Sequence, residues 1–267
     1  MSEIVYLFLA GILGGFIAGF TGVGGGIIYI IVLPIAFQNK NIDYQILAAV
    51  IVANSIFGIF ISSLFSVLTH LRLKTFYLRE TLLISIPAAV TSSLFLLFYV
   101  NTDKYSYQAF NVFIILLMGL ILIIYFVKWN QKNEIKVAKP INYKYSLSGM
   151  ISGAVSALGG LGGAVTLIPL MQHWQKIDIK KAKSLSLSMI LIMTSLMTTI
   201  NLLEDKKMEG FQGLINFKVI LPMLLGILLS SSLGVKIAHK SKGIFIEYTF
   251  IIFTVIVLIN KIYILIH

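Results

Sequence analysis

Cysteine is absent from the chain, and with it disulfides, thiolate metal sites and cysteine nucleophiles. Charge is nearly as scarce. Asp, Glu, Lys and Arg make up 12% of the 267 residues, about half the share of an ordinary soluble domain. Ten residues are acidic, and none falls at the centre of a long apolar stretch, so a carboxylate proton relay or a sodium cage is unsupported. No Arg or Lys reads as central either. That leaves helix dipoles, rather than a fixed cation, to hold an anionic ligand. The four histidines are scattered, and no HExxH or phosphate-binding P-loop is legible. The sequence therefore implies no cofactor and no metal. No long polar domain occurs, the longest polar stretch running from about Lys128 to Lys144. The start, Met1-Ser2-Glu3, carries no basic side chain and reads as lacking a cleavable signal peptide.

What the chain has is apolar length. Hydrophobic residues make up 58% of it, and its mean hydropathy is +0.95. This composition predicts an all-α polytopic membrane protein, multi-pass in a bacterial cytoplasmic (inner) membrane, with lipid as its surroundings. Hydropathy divides it into segments at about 4–37, 44–69, 80–100, 106–128, 146–173, 184–203, 213–236 and 244–266. A net charge of +11 would suggest nucleic acid as partner of a soluble protein. Here the distribution of charge matters more, and no nucleic-acid partner is expected. Basic residues cluster at Arg72–Arg79, in the central linker, at Lys176–Lys183 and at Lys236–Lys242. Positive-inside statistics place all four clusters in the cytoplasm.

Because basic clusters flank the fifth segment on both sides, that segment enters and leaves from one side, as a re-entrant hairpin. The first segment, by analogy, is a hairpin from the opposite side. Each repeat then holds one hairpin and three spans. Three is odd, so the two repeats are inverted, as in many secondary transporters. The expected division is residues 1–129 for the first repeat, 130–145 for a cytoplasmic linker and 146–267 for the second. Trp129 and Trp174 fit interfacial anchors, and Gly226, Ser230 and Gly234 form a small-residue stripe suited to helix packing.

Both hairpins break at glycine. Phe20-Thr21-Gly22-Val23-Gly24-Gly25-Gly26 is echoed by Leu158-Gly159-Gly160-Leu161-Gly162-Gly163-Ala164, and Gly15 by Gly153. Each glycine costs a helix interior roughly 1 kcal/mol against alanine, so the helix stops and restarts at both places. Inside a membrane the freed backbone groups must be buried in protein or line a wet cavity. Restarting helices offer free amides and positive dipole ends, which suit an anion. The candidate substrate-binding residues are Thr21, Gly22, Gly24, Gly25, Gly26, Asn54, Ser55, Gly160, Gly162, Gly163, Ser186 and Ser188. The glycines supply amides and the others neutral donors. No catalytic residue is expected. A saturable carrier, a channel-like anion pore and, less well supported, an intramembrane enzyme are the readings the residues leave open. Self-association is compatible with each.

The stretch Gly15–Gly26, its echo Gly153–Gly163 followed by Val165-Thr166-Leu167-Ile168-Pro169-Leu170, and Ala182-Lys183-Ser184-Leu185-Ser186-Leu187 together resemble the sulfite exporter TauE/SafE family of membrane permeases. The likeness covers essentially the whole chain. It departs from the pattern where the first copy has Pro34 in place of a proline close after the triplet, and where Val52 replaces a motif serine. The resemblance implies export of sulfur-containing oxyanions such as sulfite, sulfoacetate or other organosulfonates.

Overall fold

The computed structural model describes residues 3–38, 40, 42–102, 105–129, 142–206 and 208–266. Lys132, Lys136 and Lys139 of the expected linker lie outside these residues, as do the side chains of Lys128 and Trp129. In chain order the helices are α1 (Glu3–Thr21), α2 (Gly26–Phe37), α3 (Tyr44–Arg72), α4 (Leu78–Phe95), α5 (Tyr107–Trp129), α6 (Asn142–Gly159), α7 (Ala164–Pro169), α8 (Ile179–Leu203), α9 (Phe217–Lys240) and α10 (Gly243–Ile266). α4 runs on through a π-helical turn at Leu96–Val100, and α7 through one at Leu170–Trp174. No strand forms among the described residues. A lone antiparallel bridge between Gln212 and Ile215 shapes the loop before α9.

Among the described residues, seven helices (α1, α3, α4 with its π turn, α5, α8, α9 and α10) are long and apolar enough to cross a membrane. The chain is thus an all-α, multi-pass membrane protein. Large apolar side chains such as Ile86, Leu116, Ile123, Ile252 and Ile259 point outward from α4, α5 and α10, where lipid tails replace water as the solvent.

Local signals set several boundaries. Asp43 and Asp178 cap α3 and α8, their carboxylates accepting from the amides of Gln45 at 3.0 Å and Lys180 at 2.9 Å. Such a cap is worth about 1 kcal/mol. Asn216 caps α9 in the same way, accepting from Val219 N at 3.2 Å.

Both glycine-broken segments double back. The Lys40 ammonium lies 3.8 Å from the Glu3 carboxylate, bringing the end of the first segment to its beginning. In the second, the Gln175 side-chain amide donates to Ser148 Oγ at 2.7 Å and to the Lys144 carbonyl at 3.2 Å. The structure thus returns Gln175 to the end of α6 from which the segment set out. The second half is Ala164–Trp174 including its π turn, 11 residues or about 16 Å, too short to cross about 30 Å of hydrocarbon.

Neither broken helix packs chiefly within its own half of the chain. α1 lies along α9, and α6 along α4. Lipid tails give helices no hydrophobic reason to associate, so close backbone approach and van der Waals contact hold them. Here small residues permit it. A Cβ built on Gly11 would stand 2.1 Å from the Met223 carbonyl oxygen, and one on Gly226 would stand 2.3 Å from that of Phe8. In the other pair, a Cβ on Gly149 would meet the Ile84 carbonyl at 2.2 Å, and one on Gly153 the Ala88 carbonyl at 2.3 Å. The Gly226, Ser230, Gly234 stripe is therefore the seam on which α1 sits.

This seam makes a direct prediction. Gly11→Leu or Gly153→Leu should force the paired helices apart and destabilise the detergent-solubilised protein by about 1–3 kcal/mol or more, read as a fall in melting temperature and in monodisperse yield. Gly119→Leu, at a glycine with nothing within 4 Å of its built Cβ, should melt like the parent.

Candidate anion site at the paired glycine breaks

At the first break the chain leaves α1 while the Gly22 amide still bonds the Ala18 carbonyl, and at the second the Gly160 amide bonds that of Ser156, both at 2.9 Å. The backbone then turns left-handed. Gly22, Gly24 and Gly25 have φ of 86°, 83° and 78°, and Gly160, Gly162 and Gly163 have 61°, 75° and 73°. Side chains rarely tolerate these angles, which is why the two runs are glycine. Gly25 and Gly163 are the residues on which α2 and α7 restart.

The breaks meet each other. A Cβ on Gly26 would lie 2.8 Å from Leu161 Cα and 2.9 Å from the Gly160 carbonyl oxygen. Between them stand Ile59 of α3 and Ile190 of α8. Built Cβ atoms on Gly24 and on Gly162 would both touch this same pair, with Ile59 Cγ2 at 2.8 and 3.0 Å and Ile190 Cδ1 at 3.3 and 3.7 Å.

The hydroxyls cross from one half of the chain to the other. Ser55 on α3 donates to the Gly160 carbonyl at 2.6 Å, and Ser186 on α8 donates to the Gly22 carbonyl at 3.0 Å. Ser62, also on α3, caps the Gly24 carbonyl of its own half at 3.0 Å. The carbonyls of Gly22, Gly24 and Gly160 are in this way capped. The amides of Gly24, Gly25 and Gly26, and those of Gly162, Gly163 and Ala164, have no hydrogen-bond partner among the described residues. These six amides favour a negative guest.

Of the residues predicted from sequence, Gly22, Gly24, Gly25, Gly26, Ser55, Gly160, Gly162, Gly163 and Ser186 are brought together, all buried. Thr21 borders them, but its hydroxyl donates to the Ile17 carbonyl of its own helix at 2.8 Å. Asn54 does different work. Its amide donates to the Leu214 carbonyl at 3.0 Å, and its oxygen accepts from the Asn216 amide at 3.0 Å, pinning the loop before α9. Ser188 bonds back to the Ser184 carbonyl at 2.9 Å, the ordinary fate of a helical serine.

The sequence reading missed a cation here. Lys183 was assigned to a cytoplasmic loop, and no basic residue was expected deep in the protein. Instead α8 starts at Ile179, so Lys183 falls in its second turn and is 2% exposed. Its stem covers the first break, where a Cβ on Gly22 would lie 2.2 Å from Lys183 Cγ, and its ammonium donates to the Gly19 carbonyl at 3.1 Å. There it meets the negative end of the α1 dipole. Val52 takes the matching place at the second break, its Cα 3.1 Å from a Cβ built on Gly160. The signal that would have found Lys183 is the repeated Ile-Asp pair, Ile42-Asp43 and Ile177-Asp178, each a helix cap. A second buried lysine, Lys261 on α10, is fully enclosed with its ammonium over the Phe110 ring at 4.9 Å.

Comparison with known proteins agrees with this architecture. The chain is similar, at 28% identity over 239 residues, to a probable membrane transporter protein of Methanocaldococcus jannaschii. The aligned part is 88% of this chain and 86% of that protein. The family model described as sulfite exporter TauE/SafE matches residues 7–260. With two glycine breaks joined inside a bundle of apolar helices and a family match over nearly its whole length, this chain belongs to the sulfite exporter TauE/SafE family and is a membrane transporter of that type.

Proposed function

We propose that the chain exports a sulfur-containing oxyanion, such as sulfite, sulfoacetate or a related organosulfonate, by alternating access, holding it at the meeting point of the two breaks. One observation carries the reading: hydroxyls cap the break carbonyls at Gly22, Gly24 and Gly160, while the neighbouring amides stay unpaired. A cation site would need the opposite polarity. The glycines let an oxyanion approach the amides without a Cβ in the way, and the start of α2 adds its dipole.

Alternating access draws its support from reciprocity. Ser55 of one half reaches Gly160 of the other, and Ser186 reaches Gly22 in return. α1 lies on α9 as α6 lies on α4. We infer from this exchange two repeats related by inversion, with hairpins opening to opposite faces. Ile59 and Ile190, one from each half, touch both breaks and are suited to gate them in turn. The basic clusters at Arg72–Arg79, Lys176–Lys183 and Lys236–Lys242 converge on one end, through Lys181 to Glu80 at 3.1 Å and Lys180 to the His239 carbonyl at 3.2 Å. The positive-inside rule makes that end cytoplasmic. With a negative interior, each exported charge gains about 2.3 kcal/mol per 100 mV, so efflux needs no coupling ion. We assign no catalytic residue.

In liposomes loaded with sulfite or sulfoacetate, the full-length chain should give efflux that saturates with concentration. Flux rising linearly would make it a pore, and a clear preference for zwitterionic taurine would sink the dipole-held anion. Ser55→Ala and Ser186→Ala each bare a carbonyl toward the anion. Each should raise the half-saturation concentration about fivefold, the equivalent of ~1 kcal/mol per lost hydrogen bond. Ser195→Ala should leave it unchanged, because that hydroxyl bonds the Ile192 carbonyl within its own helix.

A further inference from the structure

At the basic end of the bundle, between the start of α8, the end of α3 and the end of α9, lies a cavity of about 320 Å³ lined by His70, Asp178, Lys180, Lys181, Lys183 and His239, together with Thr75 and Tyr77. Its charges do not balance from within. Lys181 is paired with Glu80 at 3.1 Å and lies over the Tyr77 ring at 4.6 Å. Lys180 donates to the His239 carbonyl at 3.2 Å, and Asp178 is occupied in capping α8. Lys183 is enclosed with one carbonyl, Gly19, as acceptor for its three N–H donors. Asp178 is the one carboxylate on the wall against three ammonium groups.

A second group waits for a partner. His70 is 4% exposed. Its Nδ1 sits 2.7 Å from Thr75 Oγ1, while its Nε2 is buried with no hydrogen-bond partner. The Thr75 hydroxyl also lies 3.3 Å from the His70 carbonyl; an anion in the cavity would select the form in which that hydroxyl donates to Nδ1 and Nε2 carries the hydrogen. Buried polar groups are normally bonded, and a buried ammonium is costly unless compensated. Donors in surplus around a basic cavity ask for an anion.

We propose that this cavity is a second anion site, an antechamber that takes a small sulfonate, sulfite or sulfate-like oxyanion between His70 Nε2 and the Lys180 and Lys183 ammonium groups, before the glycine breaks. Lys183 joins the two sites physically, since it lines the cavity while its Cγ lies against Gly22. The order of the two sites rests on the export reading above. The antechamber itself does not, and it can be tested by equilibrium binding alone.

The probe is sulfite or sulfate, titrated calorimetrically into the full chain in phosphatidylcholine nanodiscs. Wild type should show two classes of site. His70→Leu should weaken one class about tenfold or more, the loss of one charge-assisted hydrogen bond, and leave the other in place, whereas Lys183→Met, at a lysine that lines the cavity and lies against Gly22, should weaken both. If Lys183→Met fails to fold, judged by elution and melting without anion, His70→Leu carries the test. Isotherms unchanged in the folded variants would overturn the site. So would a site filled only when phosphatidylglycerol is present, which would make its ligand a lipid headgroup. Two classes of binding without liposome efflux would keep the antechamber and refute export.

Discussion

Everything in this structure follows from the need to satisfy backbone groups in a place without water. Two helices stop inside an apolar bundle, each freeing carbonyls and amides that lipid cannot bond. Three of those carbonyls are answered by serine hydroxyls on α3 and α8, which fixes the position of both long helices against the breaks. Glycine makes the turns achievable, and it also brings α1 onto α9 and α6 onto α4 at backbone distance. A single requirement thus sets the packing and the polarity of the site together.

The arrangement separates two jobs that hydroxyl residues are often assumed to share. Ser55, Ser62 and Ser186 face the breaks but spend their hydrogens on carbonyls. What they leave for a ligand is the backbone N–H of the glycine runs. Their contribution is to remove negative partial charge from the site, and the amides supply the attraction. Lys183 adds a positive charge at the edge of the first break, and Val52 leaves the second one neutral. The two halves resemble each other in backbone and differ in electrostatics.

Much of the fold was legible in the sequence because its signals are local. Apolar runs gave the spans, paired glycine triplets gave the breaks, and basic loops on both sides of the fifth segment implied that it turns back, as the Gln175 bond to Ser148 bears out. Pairing between distant elements was not legible. Gly149 and Gly153 announce a close helix neighbour, yet nothing in their spacing names α4 as that neighbour. Nor could hydropathy place Lys183, because a lysine in the first turns of a helix scores as loop. Asp178 marks where that helix begins, and there the capping chemistry was a better guide than the charge. Asn54 joined the candidates for a related reason: a polar residue in an apolar helix suggests a ligand, and in the structure its side chain bonds the backbone of the loop before α9.

The crossed serine bonds reach further than the site. Gly22 is closed by a hydroxyl 164 residues away and Gly160 by one 105 residues away, so neither half completes its own break. Removing α6 to α10 would bare the Gly22 carbonyl and leave Ser55 without the Gly160 carbonyl it caps. Damage to either break is therefore felt at the other, and the chain has no smaller unit in which both stay closed.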